Sequence, residues 1–229
     1  ALGRIWLITD KRVNLITFAE DGSVAHIASY QYRGNTPEIC ICDVEGNGKP
    51  WVGIDYGIYR MVEKDGKLVR EEISTLLHPL YGLYITDILK RGNTVWLTTN
   101  HGLFRYDPYL QRLDQTTIQH LSHEFLSSLA LMPDNTLLVG SLCGLNIYDD
   151  KSGTFTAWTQ ASTPPLKNDF VHCLLVNDGL IYVGTEAGGV IRLVPRQLLL
   201  QNSVHSQDPG SLSPNPVNAM YAAPDGTLW

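Results

Sequence analysis

Few side chains in this 229-residue sequence have types and spacings that could do chemistry. His120 and His123 form a His-x-x-His pair, but no helix signal or carboxylate accompanies them, so a surface loop is expected and no metal site. Gly140-Ser141-Leu142-Cys143-Gly144 carries its serine one place too early for a nucleophile elbow. His172 could act as a general base only with an orienting partner, and the sequence around it shows none. Asp87 stands alone, and no pair of carboxylates is spaced for acid/base work. Without a phosphate loop as well, no catalysis and no cofactor are expected. The cysteines Cys40, Cys42, Cys143 and Cys173 match neither a zinc ribbon nor a redox pair. They are expected to be unbridged, buried thiols.

Binding is better served. Asp55, Tyr56, Tyr81, Tyr84, Asn100, His101, His123, Asn168 and Glu186 fall in candidate turns and links, and His172 stands one place into a candidate strand. Aromatic faces can stack on the C–H surface of a sugar while amides and carboxylates bond its hydroxyls. A solvated loop rim would have much the same composition. The formal net charge of −6 excludes a nucleic acid as the main partner.

The elements that place these residues repeat. Tight turns rich in Asp, Asn and Gly precede a large residue at Trp6, Trp51, Trp96, Leu138, Tyr182 and Trp229, with steps of 45, 45, 42, 44 and 47 residues. A period of that size marks a propeller or a solenoid. Each repeat resolves into four short strands. The first strands are 39–42, 85–89, 126–131, 171–176 and 217–222, apolar on both faces as in a sheet sandwiched between others. The second carries the large residue. The third strands are 58–62, 103–106, 145–148 and 190–194. The fourth, more polar, are 25–30, 68–73, 112–118 and 154–159, as an outer strand with a wet edge should be. Helix signals are poor; only 197–201 could form a turn. The expected fold is all-β: a β-propeller of four-stranded antiparallel blades, about five repeats in one domain over 1–229. The Trp51, Trp96, Leu138 and Tyr182 column is expected to be buried between blades. In that geometry the links into the first strands and the turns after the second share one rim, which gathers the candidate binding residues.

Asp225-Gly226-Thr227-Leu228-Trp229, Gly184-Thr185 with Gly188-Gly189, and the run Asn100-His101-Gly102-Leu103-Phe104-Arg105-Tyr106-Asp107 resemble the two-component regulator propeller repeat. The link 208–218 is similar to the approach to that repeat's first strand. The first copy departs, with Arg12 where glycine is expected. The resemblance implies the extracytoplasmic sensor region of a hybrid two-component histidine kinase. In that family tandem seven-bladed propellers precede a small β-sandwich, a membrane helix and the kinase. It implies a periplasmic location within an inner-membrane protein. It also implies an oligosaccharide ligand, a neighbouring propeller or sandwich domain as partner, and room for a homodimer. The chain is then a fragment of a larger, seven-bladed region, and its ligand would be held by Asp55, Tyr56, Tyr84, Asn100, His101, Asn168, His172 and Glu186. The alternatives are a glycan-acting propeller lyase or hydrolase and a protein-interaction scaffold on the same rim.

Overall fold

The computed structural model describes residues 3–33, 40–116, 121–194, 199–212 and 215–229. Expectations that fall on Ile39, on 117–120 (His120 among them), on 195–198 and on 213–214 lie outside these. The first blade is a three-stranded sheet of β1 (Arg4–Ile8), β2 (Arg12–Phe18) and β3 (Val24–Gln31). Four four-stranded antiparallel blades follow. The second holds β4 (Cys40–Cys42), β5 (Trp51–Ile54), β6 (Gly57–Lys64) and β7 (Lys67–Glu71). The third holds β8 (Ile85–Arg91), β9 (Thr94–Thr99), β10 (Gly102–Asp107) and β11 (Arg112–Gln115). The fourth holds β12 (Leu126–Leu131), β13 (Leu137–Ser141), β14 (Gly144–Asp149) and β15 (Thr154–Trp158). The fifth holds β16 (Val171–Asn177), β17 (Leu180–Thr185), β18 (Val190–Val194) and β19 (Leu199–Ser203). Every pairing is antiparallel between consecutive strands, as short Asp-Gly and Asn-containing turns dictate.

Register establishes the repeat at residue level. Trp51 pairs with Arg60, Trp96 with Arg105, Leu138 with Ile147 and Tyr182 with Arg192, always second strand against third. Trp51, Trp96 and Leu138 are buried. Tyr182 is only half-buried, contrary to the sequence reading. Ile181 and Val183 on either side of it pack into the joint with the fourth blade. Tyr182 therefore faces the other way, where the described chain supplies only a hairpin.

Three further elements depart from expectation. The segment 217–222 is not a strand; Ala222 makes an isolated bridge to Leu228, and Tyr221 and Trp229 exchange two backbone hydrogen bonds of 2.8 Å. The stretch expected as a helical turn near 197–201 contains β19 instead, paired to β18 from Leu199 to Ser203. Between the second and third blades a 3-10 helix spans Thr75–Leu80, with Ser74 as its N-cap and Leu77 and Leu80 buried.

The second to fifth blades meet through their first strands, β4 with β8, β8 with β12 and β12 with β16, whereas the first blade meets the second through β3 and β7. Each of these first strands donates a side-chain hydrogen bond onward: Cys40 Sγ to Ile85 O (3.2 Å), Thr86 Oγ1 to Leu126 O (2.7 Å), Ser127 Oγ to Val171 O (2.6 Å) and Cys173 Sγ to Val217 O (3.3 Å). Such close approach explains one glycine column. A Cβ on Gly53, Gly140 or Gly184 would lie 2.8, 2.5 or 2.6 Å from Cys40 Sγ, Ser128 Oγ or Cys173 Sγ. The third blade carries Thr98 there, its hydroxyl 2.8 Å from that of Thr86, which accepts from it while donating to Leu126 O.

Candidate functional site

The rim formed by the links and the turns after the second strands is built outward from strained and capped backbone. At the β5–β6 turn Asp55 and Tyr56 both adopt positive φ, 51° and 56°. Tyrosine in the left-handed region costs roughly 1–2 kcal/mol, so the turn is over-determined by its surroundings. Gly82 N donates to Tyr56 O at 2.7 Å. Asp55 accepts from Arg33 N and from Arg70 Nη1, both at 2.8 Å, clamping the first blade's exit to the second blade. Both carboxylate oxygens of Asp55 are thereby engaged in the fold.

The aromatic residues around this turn form a strip. Tyr56, 42% exposed, lies with its ring centroid 4.9 Å from that of Tyr84. The Tyr84 phenol is held above its usual pKa first by the hydrogen bond its hydroxyl donates to the Tyr56 side chain and then by desolvation. Tyr59 stacks on Tyr81 at 5.6 Å, His78 sits 5.1 Å from Tyr81, and the Arg70 guanidinium covers Tyr59 at 4.4 Å. His78 in turn pairs with Glu72. Gly57 makes room for this: a Cβ there would meet Tyr81 at 3.0 Å and the Tyr59 hydroxyl at 3.1 Å. The sequence reading missed Tyr59, Arg70 and His78. The glycine directly after Asp55-Tyr56 was the available signal, since it marks a place where something packs closely.

The strip continues onto the third blade. Asn100 Oδ1 accepts from Tyr84 N at 2.9 Å, and Asn100 N donates to Tyr84 O at 3.2 Å. Asn100 thus positions Tyr84 with its side chain. Beside it His101 and Glu124 approach to 3.4 Å, both well exposed. On the fifth blade His172 Nε2 contacts a Glu186 carboxylate oxygen, and the His172 ring lies 4.5 Å from that of Phe170. Glu186 is therefore the orienting partner that the sequence did not reveal: fourteen positions away, it is brought alongside by the β16–β17 pairing. Asn168 accepts from Phe170 N at 3.1 Å, fixing the link that carries the ring. His123 caps its own link by accepting from Phe125 N at 2.9 Å.

Counted along the sequence from the start of each candidate first strand, Cys40, Thr86, Ser127 and His172 would share one column; the structure changes it. Bulges between Ile85 and Asp87, Leu126 and Ser128, and Val171 and Cys173 shift the count by one residue. Cys40, opposite Gly53, is equivalent to Asp87, Ser128 and Cys173, not to Thr86, Ser127 and His172. In the third blade that register holds a carboxylate. Asp87 accepts from Ile88 N (2.8 Å) and Leu129 N (2.7 Å), and desolvation pushes its pKa up to about 6. The cysteines make no disulfide; Cys40 is buried, Cys42 and Cys173 are half-buried, and Cys143 is exposed, contrary to expectation, because it sits in the β13–β14 turn. Among the described residues no group of three or more His, Cys, Asp or Glu is arranged to hold a metal.

No family model and no curated protein sequence matches the chain. Solved structures do. One described as the extracellular domain of the hybrid two-component system BT4673 of B. thetaiotaomicron superposes with a TM-score of 0.72 at 18% identity, over 99% of this chain and 30% of that one. Another, described as that of BT3049 from the same organism, gives a TM-score of 0.67 at 20% identity, over 86% and 27%. This chain has the fold of those extracellular domains. It spans about a third or less of their length. Virginiamycin B lyase from Staphylococcus aureus also matches, with a TM-score of 0.61 at 19% identity, over 87% of this chain and 66% of that one. Among the described residues no helix is long and apolar enough to cross a membrane.

Proposed function

We propose that this propeller is the ligand-sensing region of a hybrid two-component histidine kinase. It would stand in the periplasm as part of an inner-membrane protein, within a seven-bladed ring, and take an oligosaccharide on the rim described above. The observation that carries this reading is the continuous strip Tyr56–Tyr84–Asn100–His101. An aromatic pair, Tyr56 exposed and Tyr84 half-buried, is held there beside a turn with two residues at positive φ, next to open imidazole and carboxylate groups. Tyr56, Tyr84, His101, His172 and Glu186 are the contact residues; Asp55, Asn100 and Asn168 position them. The partner that receives the signal is the adjoining propeller or sandwich domain, or a second protomer. Ligand must bind the two signalling states with different affinity, since an indifferent binder shifts no population.

The test is a binding screen of glycan fragments by calorimetry. Tyr84→Ala and His101→Ala are expected to weaken a hit at least tenfold while the circular dichroism stays unchanged. Unchanged affinity in both variants would remove the rim from the mechanism.

The His172–Glu186 contact favours a second reading, a glycan-acting lyase, because a carboxylate on imidazole is the arrangement that orients a general base. Turnover of a glycan that His172→Ala abolishes would replace the sensor reading.

A further inference from the structure

Past the aromatic strip the rim continues onto the first blade, and there its charge changes. The turn 9–11 between β1 and β2 is this blade's counterpart of the Asp55–Tyr56 turn. The chain leaving β3 folds across it: Tyr32 N donates to Lys11 O at 3.2 Å, and the Tyr32 hydroxyl donates to Thr9 O. Arg33 N then donates to Asp55 Oδ1 at 2.8 Å. Tyr56 is the next residue after Asp55, so this exit adjoins the end of the Tyr56–Tyr84 strip. Between turn and exit lies a cleft of about 530 Å³, lined by Lys11, Gln31, Tyr32 and Arg33. Tyr32 is buried and forms its floor, whereas the other three are exposed.

Elsewhere the arginines belong to the fold: Arg4, Arg60, Arg70, Arg91, Arg105 and Arg112 each reach a carboxylate. On the rim, His78, His101 and His172 likewise carry their own glutamates. The cleft departs from that habit. Among the described residues neither Arg33 nor Lys11 reaches a carboxylate, and their backbone groups alone hold the turn and the exit together. Arg12, paired with Gln31 in the β2–β3 ladder, is a third exposed cation without one. Against these stand Asp10, in the same turn, and Asp55, whose charge Arg70 already neutralises. The patch is positive although the chain has a formal net charge of −6 and acidic residues in excess. Such a protein repels anions in general, so an anion is favoured only where unpaired cations converge.

We propose, on the strength of the rim reading above, that this cleft selects the ligand by charge and that the oligosaccharide is an acidic one. Its carboxylate or sulfate lies between Lys11 and Arg33, while an adjoining sugar ring stacks on Tyr56. The planar fork of Arg33 suits either group, since both present paired anionic oxygens, and Lys11 adds a point charge. Gln31, with donors and an acceptor on one amide, bonds a hydroxyl of the same sugar. A neutral oligosaccharide would keep the stacking and forgo the charge-assisted bonds.

Calorimetry with trigalacturonate, its methyl ester and a sulfated galactose trisaccharide separates charge from shape. At least one acid should bind about tenfold or more tighter than the neutral ester, and raised salt should remove most of that advantage. Which acid gains identifies carboxylate or sulfate as the group that is read. Lys11→Ala and Arg33→Ala keep the backbone hydrogen bonds of the turn and the exit. Each should weaken the favoured acid about fivefold or more and leave the ester unchanged, whereas Tyr84→Ala should weaken acid and ester alike. Should one cation variant not fold, the other and the salt series carry the comparison. No saturable binding of either acid at about 10 mM, no preference over the ester, or a preference that survives in the folded cation variants would overturn the acidic class. If Tyr84→Ala still weakened the ester, the rim reading would stand without it. Acid binding that ignores Tyr84→Ala would overturn both together. Hexaglutamate binding as tightly as the favoured acid would make the cleft a docking site for an acidic protein, and the glycan would be abandoned.

Discussion

At the scale of single residues, Asp87 is the group whose environment most opposes its charge. It occupies a register that the second, fourth and fifth blades give to cysteine or serine, and two backbone N–H bonds partly compensate its burial. Its folded pKa of about 6 lies above the ordinary 3.8, so the folded state holds the proton more tightly than the unfolded one. The corresponding stabilisation is complete below the unfolded value and is lost as pH rises through about 6. Two pH units amount to at most about 3 kcal/mol, and less because the residue keeps some solvent contact. Asp87→Ser, copying the fourth blade, should flatten the thermal stability profile between about pH 4 and 7 relative to the unaltered protein. Parallel profiles would show that Asp87 titrates normally. The thiols give a second test. Native labelling should modify Cys143 first. Cys173, half-buried and pushed up to about 11 by desolvation, should lag far behind, and denaturation should release four thiols. The raised acid was not legible in the sequence, because a β-bulge of one residue decides which side chains share its register; the exposed thiol follows from the position of Cys143 in the β13–β14 turn.

At the scale of elements, the sequence was most informative where geometry leaves one residue type. Gly189 has φ 67°, and a Cβ on it would lie 2.0 Å from Ser203 O on the neighbouring strand β19. Gly189→Ala must therefore move backbone, and a loss of at least about 2 kcal/mol in urea unfolding is expected. By contrast Gly179→Ala, at φ 74° with nothing near, should cost about 1 kcal/mol from its left-handed conformation alone. Equal losses would mean that β19 does not press on Gly189. The second and third strands were legible through their turns and their periodic large residues. The Thr75–Leu80 helix and β19 were not, because each is fixed by what it packs or pairs with: the helix by burial of Leu77 and Leu80, and β19 by its ladder to β18. The rim was legible as a set of loops. The partnerships Tyr56–Tyr84 and His172–Glu186 became visible only once the links were folded over the turns.

At the scale of the whole molecule, stability should follow the joints, since each blade rests chiefly on its neighbours. The second strands of the third and fourth blades, β9 and β13, are paired on both sides and buried almost throughout. The ends of the chain are different. The first blade begins on β1, an edge strand with Ile5 and Leu7 about half exposed, and Trp229 is 76% exposed on its short hairpin. The seven-bladed reading leaves these edges uncovered in a chain of this extent, whereas a ring closed on five repeats would bring the last hairpin against β1. Amide hydrogen exchange separates the two. Under the seven-bladed reading β9 and β13 exchange most slowly, and β1 and the residues from Tyr221 to Trp229 exchange within the shortest labelling times, since an edge amide opens without breaking a joint. Protection of β1 as strong as that of β9 would mean that its edge is paired, as closure on five requires, and the seven-bladed arrangement would have to be abandoned.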